Sequence, residues 1–249
     1  MTSNFVWYEL CTNDLDGAKA FYGALFGWTA TRFQGESAPD YHILEMAGKG
    51  VGGLMPLPDG IPKPFWLGYV GVADADAAIE KAKAAGATVH RVLDIPDVGK
   101  IGIISDPQGV GYALIQGYSE RKSEAFNQAL PGHGNWNELY TTDLAAGFDY
   151  YATQYGWTKG RTVPMGEMGD YQLFQADGVD IGGMMKAPEG APTAWLIYFG
   201  VRDIDEAVAT INANGGTIRH GPAEVPGGAW IAQAIDPQGA AFAVTGPRK

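Results

Sequence analysis

Cysteine is almost absent. Cys11 is the only one in 249 residues, so an intramolecular disulfide and a thiolate zinc cluster are both excluded. Met1-Thr2-Ser3-Asn4-Phe5 offers neither a basic segment nor an apolar run of signal-peptide length, and with the lone thiol this makes a reducing cytoplasm the expected compartment. Positive charge is also scarce. Seventeen Lys and Arg face 28 Asp and Glu, a formal net charge of −11, which argues against a nucleic-acid partner because phosphate neutralisation needs clustered cations. No apolar run approaches the ~20 residues of a membrane helix. The nucleophile elbow, the P-loop and the dinucleotide glycine fingerprint are missing too. What is plentiful is apolar: 46% hydrophobic and 12% aromatic residues bury a substantial core and exclude global disorder. Thirty-six glycines and 15 prolines without collagen periodicity read as many short strands joined by turns.

The chain repeats itself. Trp7-Tyr8-Glu9-Leu10-Cys11-Thr12-Asn13-Asp14-Leu15 returns 129 residues later as Trp136-Asn137-Glu138-Leu139-Tyr140-Thr141-Thr142-Asp143-Leu144. Phe21-Tyr22 returns as Tyr150-Tyr151, and Gly27-Trp28 as Gly156-Trp157. With one residue added in loops, Asp40-Tyr41 matches Asp170-Tyr171, Gly52-Gly53 matches Gly182-Gly183, and Asp106-Pro107-Gln108-Gly109 matches Asp236-Pro237-Gln238-Gly239. The expected organisation is therefore a first domain over 1–118, a polar linker over 119–132 ending in Pro131-Gly132, and a second domain over 133–249.

Each half contains the same order of elements twice. A strand over Asn4–Cys11 precedes a helix opened by Asn13 or Asp14 and closed by Gly27, with Leu15, Ala18, Phe21, Tyr22 and Leu25 on one apolar face. Strands follow at Tyr41–Ala47 and Val51–Leu57, separated by a turn at Gly48-Lys49-Gly50. Phe65–Val72 reads as a strand and Asp74–Ala85 as a helix ending at Gly86. Val89–Leu93, Lys100–Ser105 and Gly111–Gln116 read as three more strands, and the second half ends its last helix, Asp203–Asn214, at Gly215-Gly216. A quarter of the chain is too small to bury both faces of its sheet, so quarters are expected to pair into curved sheets.

The segment Thr12–Trp28, its copy ending at Trp157, and the two Asp-Pro-Gln-Gly turns resemble the vicinal oxygen chelate superfamily, which includes glyoxalase I, bleomycin-resistance proteins and extradiol dioxygenases. The tandem form looks most like the culture-filtrate-antigen or hydroxylase-like branch. The resemblance implies an α+β fold of tandem glyoxalase-like domains: four βαβββ modules forming two curved-sheet cups with helices outside. It also implies a divalent metal in each cup, held by His and Glu from separate strands. Carried over residue by residue, those positions hold Trp7 and Trp136, Leu67 and Leu196, Ala113 and Ala243, and, at the middle strand, Gly53 or Leu54 and Gly183 or Met184. None of these side chains coordinates a divalent ion. Nor do the four histidines (His42, His90, His133 and His220) recur at equivalent repeat positions. The expectation is therefore no metal and no cofactor.

By strand alternation, Trp7, Glu9 and Cys11 share one face, as do Trp136, Glu138 and Tyr140, and the resemblance makes that face the concave one. Leu67 with Tyr69, and Leu196 with Tyr198, are expected on the same walls, together with Met55, Met185 and Trp230. Such a cup suits a flat apolar or cationic molecule, because indole and phenol rings supply area and stacking. Glu9 and Glu138 then orient a ligand group or act as general base, partial burial favouring the protonated carboxyl. Core filling is the competing reading for the Trp pair, and acceptance of hydrogen bonds from Tyr69 and Tyr198 is the competing reading for the Glu pair. Asp106 and Asp236 are read as turn formers, and Cys11 as a small buried hydrophobe. Two functions follow as expectations. One is metal-independent binding of a small aromatic or apolar molecule. The other is a glyoxalase-like lyase or isomerase with Glu9 or Glu138 as base, possibly using a non-standard metal. A small-molecule ligand is the expected partner, with neither nucleic acid nor membrane, in a monomer whose halves imitate a dimer or in a homodimer.

Overall fold

The computed structural model describes residues 3–34, 40–120 and 122–249; Met1 and Thr2 of the N-terminal segment and Arg121 of the linker lie outside them. The chain runs through four βαβββ modules. The first contains β1 (Phe5–Thr12), α1 (Leu15–Phe26), β2 (Thr29–Arg32), β3 (His42–Met46) and β4 (Lys49–Pro56). The second contains β5 (Phe65–Gly71), α2 (Ala75–Ala84), β6 (Thr88–Ile95), β7 (Gly99–Ser105) and β8 (Gly111–Gly117). The third contains β9 (Gly134–Thr141), α3 (Leu144–Tyr155), β10 (Thr158–Pro164), β11 (Asp170–Ala176) and β12 (Val179–Lys186). The fourth contains β13 (Ala194–Gly200), α4 (Ile204–Ala213), β14 (Thr217–Glu224), β15 (Trp230–Ile235) and β16 (Ala241–Gly246). Two eight-stranded sheets result, ordered β2-β3-β4-β1-β5-β8-β7-β6 and β10-β11-β12-β9-β13-β16-β15-β14. Both are mixed: β1 pairs with β4, β5 with β8, β9 with β12 and β13 with β16 in parallel, and the hairpins are antiparallel. No helix among the described residues is long and apolar enough to cross a membrane.

Local chemistry explains the boundaries. Asp14 caps α1 by accepting from the Gly17 N–H, and Gly27, at φ 75°, closes it in the left-handed region that a side chain disfavours. Asp74, Asp143 and Asp203 cap the other three helices in the same way. The C-caps of α2 and α4 are Ala85 and Asn214, one residue before the expected glycines, with Gly86 and Gly215 taking the positive φ. In α1 the buried face is Ala18, Phe21, Tyr22 and Phe26, so the stripe ends on Phe26 where Leu25 was expected. The first hairpin turns at Ala47-Gly48, and Lys49 and Gly50, expected in the turn, already belong to β4. β2 and β10 have no counterpart among the strand runs read from the sequence. Both are exposed outer strands with little apolar alternation to announce them.

The strands of the two sheets follow the expected domains, 1–118 and 133–249, whereas compact packing gathers pieces of both repeats. One unit holds the chain up to Val6, Gly68–Lys122 and Trp136–Trp195; the other holds Trp7–Leu67, Ser123–Asn135 and Leu196–Lys249. In the second, Phe199 packs against Trp66, Trp28, Phe26 and Tyr8, with ring centroids 4.9 to 5.8 Å apart. In the first, Trp157 stacks on Phe174 at 4.6 Å and on Tyr151 at 5.7 Å. Such pairs add about 0.5–1.5 kcal/mol each beyond the area they bury.

Each core also holds a carboxylate. The Asp236 Oδ1 accepts from the backbone N–H groups of Gln238, Gly239 and Ala240 at 3.0, 2.8 and 2.8 Å. Its Oδ2 accepts from the Tyr22 hydroxyl at 2.9 Å, and that hydroxyl accepts from the Trp66 indole at 2.9 Å. Asp106 repeats the device: its Oδ1 accepts from Gln108 and Val110, its Oδ2 from Tyr151, whose hydroxyl accepts from Trp195. The turn-forming role expected for both aspartates holds, with a phenol added. Replacing Tyr22 by Phe leaves the Trp66 N–H and the Asp236 carboxylate short of a partner. The expected loss of unfolding free energy is about 2 kcal/mol in a denaturant titration, and an unchanged midpoint would refute the role. Burial is the largest influence on Asp106 and Asp236 and raises both above the ordinary aspartate value, their hydrogen bonds opposing it. The folded chain therefore takes up these protons before the unfolded chain does, and stability falls as pH rises from about 3.9 through the raised values. Asp236→Asn flattens that part of the stability profile, measured by urea unfolding across the acid range.

Candidate functional site

Alternation along β1 sets Trp7, Glu9 and Cys11 on one face. Its parallel partner β4 brings Gly53 beside Glu9 and Met55 beside Cys11. Trp7 is half-buried while Glu9 is only 7% exposed, so a buried carboxyl group shares a face with a partly open indole. Tyr41, immediately before β3, joins them: the Trp7 Nε1–H donates to the Tyr41 hydroxyl at 2.8 Å, and that hydroxyl is hydrogen-bonded to Glu9. Gly53 makes room for this, since a Cβ there would collide with the Tyr41 phenol. Gly52 serves a different need, the close approach of the Tyr8 carbonyl from the neighbouring strand.

The second repeat rebuilds the arrangement. On β9, Glu138 is 6% exposed beside Gly183 of β12, and Tyr140 lies beside Met185. The Trp136 Nε1–H donates to the Tyr171 hydroxyl at 2.8 Å, and that hydroxyl donates to the Glu138 Oε2 at 2.9 Å. A Cβ at Gly183 would strike the Tyr171 ring. Each triad lies within one compact unit, Trp7–Tyr41–Glu9 in one and Trp136–Tyr171–Glu138 in the other.

The proton inventory is then fixed. Each phenol accepts an indole hydrogen and gives its own to a carboxylate, so it can be neither a base nor a free donor. Burial, and next the neighbouring glutamate charge, hold Tyr41 and Tyr171 well above the usual phenol value. Burial likewise pushes the Cys11 thiol up, with Glu9 adding to it, which makes Cys11 the neutral apolar filler expected of it.

The other candidates are distributed between the units. Leu67 and Met55 belong to the unit of Trp7, and Tyr69, opposite Ala113, belongs to the other. Leu196, Tyr198 and Trp230 belong to the unit of Trp7, whereas Trp136, Glu138, Tyr140 and Met185 belong to its counterpart. The Tyr198 hydroxyl accepts from Gln233 Nε2 at 2.8 Å, and the Trp230 ring carries the Arg248 guanidinium at 4.4 Å, itself paired with Asp205. Tyr41 and Tyr171 are phenols bonded to the glutamates. The reading of the residues, which weighed Tyr69 and Tyr198 as structural partners of the glutamates, did not include them. The available signal was the repeat itself, which places Asp40-Tyr41 and Asp170-Tyr171 in register ahead of the paired glycines.

At the positions that the fold implies, a divalent metal finds no donor set among the described residues. Those positions hold indole, isobutyl, methyl, and hydrogen or, at Met184, a thioether, and the glutamate of each triad is engaged by a phenol. Among the described residues no three His, Cys, Asp or Glu side chains converge to hold an ion. These residues do not fit the metal that the fold implies.

Residues 4–114 match the model of the Glyoxalase/Bleomycin resistance protein/Dioxygenase superfamily. Over 97% of its length the chain is 32% identical to a Mycobacterium tuberculosis protein named "Putative glyoxylase CFP32", covering 94% of that protein. The chain belongs to the glyoxalase/bleomycin resistance protein/dioxygenase superfamily. It is also 27% identical to the "Anthracycline biosynthesis protein DnrV" of Streptomyces peucetius, over 96% of this chain and 91% of that one. Among solved structures, the Mn(II)-bound glyoxalase of Novosphingobium aromaticivorans shares the fold at a TM-score of 0.71 and 14% identity, over all of this chain and 83% of that one. The 2,2',3-trihydroxybiphenyl 1,2-dioxygenase of Sphingomonas wittichii shares it at 0.71 and 13%, over 99% and 91%.

Tyr171→Phe removes the phenol between Trp136 and Glu138. It is expected to lower stability by about 1.5–3 kcal/mol, the range for a hydrogen bond to a charged group, and to change Trp136 emission. Unfolding curves and fluorescence matching the unsubstituted chain would refute the link.

Proposed function

We propose that this protein binds small flat aromatic or apolar molecules without a metal, using the half-buried indoles of Trp7 and Trp136 as stacking platforms. The observation that carries this reading is the Trp136–Tyr171–Glu138 chain and its copy in the first repeat. A tryptophan that only filled a core would be covered, whereas these two are partly open and each is held in place through its N–H. Fixing the ring beforehand removes the entropy that a mobile platform would lose on binding. A carboxylate on the same face suits a ligand hydroxyl, amine or cation. The domains expected over 1–118 and 133–249 would then each carry one such site. The name of the anthracycline biosynthesis relative fits a flat aromatic ligand.

Isothermal titration with 1-naphthol, read in parallel by tryptophan fluorescence, tests this. Saturable binding is expected, unchanged by EDTA or by added Mn(II) or Zn(II), and Trp136→Ala should weaken the site it lines about tenfold (~1.4 kcal/mol). Binding that requires an added ion, or no saturable signal at all, would overturn the proposal. A second reading, a lyase or isomerase in which Glu9 or Glu138 takes a proton, is favoured by the burial of both carboxylates on the face of a partly open ring. It requires Glu138→Gln or Glu9→Gln to abolish turnover of a substrate while that substrate still binds.

A further inference from the structure

Among the described residues the strand order leaves β2, β6, β10 and β14 at the sheet edges, and three of these carry features that discourage pairing with another chain. β2 is four residues long. β10 ends in Pro164, and its register slips between Lys159 and Thr162. β14 contains Pro222 and slips twice. Short length, proline and bulges are the usual protections of a sheet edge. β6 is different. It runs for eight residues without proline and pairs with β7 in unbroken register from Arg91 to Ile95. No described strand lies on its other side. Val92 is 46% exposed in the regular part of this edge, at a place where protected edges carry lysine.

The charges of β6 are arranged to meet a copy of themselves. Arg91 lies on one side of Val92 along the strand and Asp94 on the other. Antiparallel pairing of two β6 strands about Val92 sets the valines opposite each other and carries the basic end of each strand to the acidic end of its copy. In-register parallel pairing sets like charges together. Both charges are available for this. Arg91 is exposed and forms no ion pair among the described residues. Asp94 is exposed as well, and its Oδ1 accepts from the Tyr118 hydroxyl at 2.6 Å, a bond that orients the carboxylate at the edge. Lys100, opposite Asp94 within the sheet, is paired with Asp76 at 2.6 Å.

We infer that β6 is a dimerisation edge, on which a second copy of this chain pairs antiparallel about Val92 and continues the sheet across a two-fold axis. The partner is the same chain because the edge is complementary in charge to itself. The inference stands independently of the ligand proposed above. One strand from each copy makes a small interface, so a dissociation constant of roughly micromolar size is expected.

Sedimentation velocity of the full-length chain, from about 1 µM to about 200 µM, tests this. The expected result is a concentration-dependent shift from the 26.5 kDa monomer to a dimer. Val92→Lys sets two cations opposite each other at an exposed position and should raise the dissociation constant about tenfold, with circular dichroism and the urea midpoint unchanged. Arg91→Glu should also weaken the dimer. Arg91→Glu combined with Asp94→Arg exchanges the two charges and should restore it, a rescue that a role in folding alone would not give. A monomer at every concentration overturns the inference, whether β6 then stays bare or takes a strand from another protein. A dimer that survives both Val92→Lys and Arg91→Glu overturns it too, since the copies then meet through a different face.

Discussion

A carboxylate removed from water must be given hydrogen-bond donors, because desolvation otherwise costs more than a single contact returns. Among the described residues, four carboxylates are buried next to aromatic rings, and all four are answered in the same way. Asp106, Asp236, Glu9 and Glu138 each bond to a tyrosine, and each of those tyrosines accepts from a tryptophan indole. The amphipathic rings allow this. Tyr and Trp bury large apolar faces in the core while directing one polar atom toward the acid. Position along the module decides what the device does. Where the tryptophan is covered, as at Trp66 and Trp195, the chain of bonds ties a hairpin turn to a helix. Where it is half open, as at Trp7 and Trp136, the same bonds hold a partly accessible aromatic surface.

The fold is shared with a Mn(II)-bound glyoxalase, yet the side chains at the positions that the resemblance implies for a metal are different. Fold is decided by the apolar alternation of strands, the helix caps and the turn residues, all of which are kept. Metal chemistry is decided by a few side chains that those determinants do not constrain. Indole at Trp7, isobutyl at Leu67 and methyl at Ala113 are compatible with the same sheet and incompatible with coordination. Duplication then permits divergence. With two copies of a frame in one chain, Cys11 and Tyr140 are free to differ while Trp, Tyr, Glu and Gly are retained in both.

Legibility varied with how local the determining physics was. Helix starts and stops followed from single residues, Asp14 and Gly27 for α1, because capping is a contact between near neighbours in the chain. The shared face of β1 followed from alternation, which placed Trp7, Glu9 and Cys11 together. The outer strands β2 and β10 were not visible, since strands exposed on most of their positions carry no alternation. Tyr41 and Tyr171 escaped as site residues for another reason. Tyr41 immediately precedes β3 and Tyr171 lies in β11; the register of these strands against β4 and β12 decides whether a ring covers the glycine, and register is a long-range property.

From its order of residues alone, this protein declares a duplicated α+β chain with one carboxylate and one indole on the same strand face in each repeat. These are matters of composition, periodicity and repetition, each satisfied by neighbours within a few positions. Which phenol meets each glutamate, why the paired glycines are needed, and how the four modules gather into compact units that mix the repeats were decided only by the folded chain. Those outcomes depend on strands and rings brought together from distant positions, and their packing in three dimensions is not encoded in any local pattern.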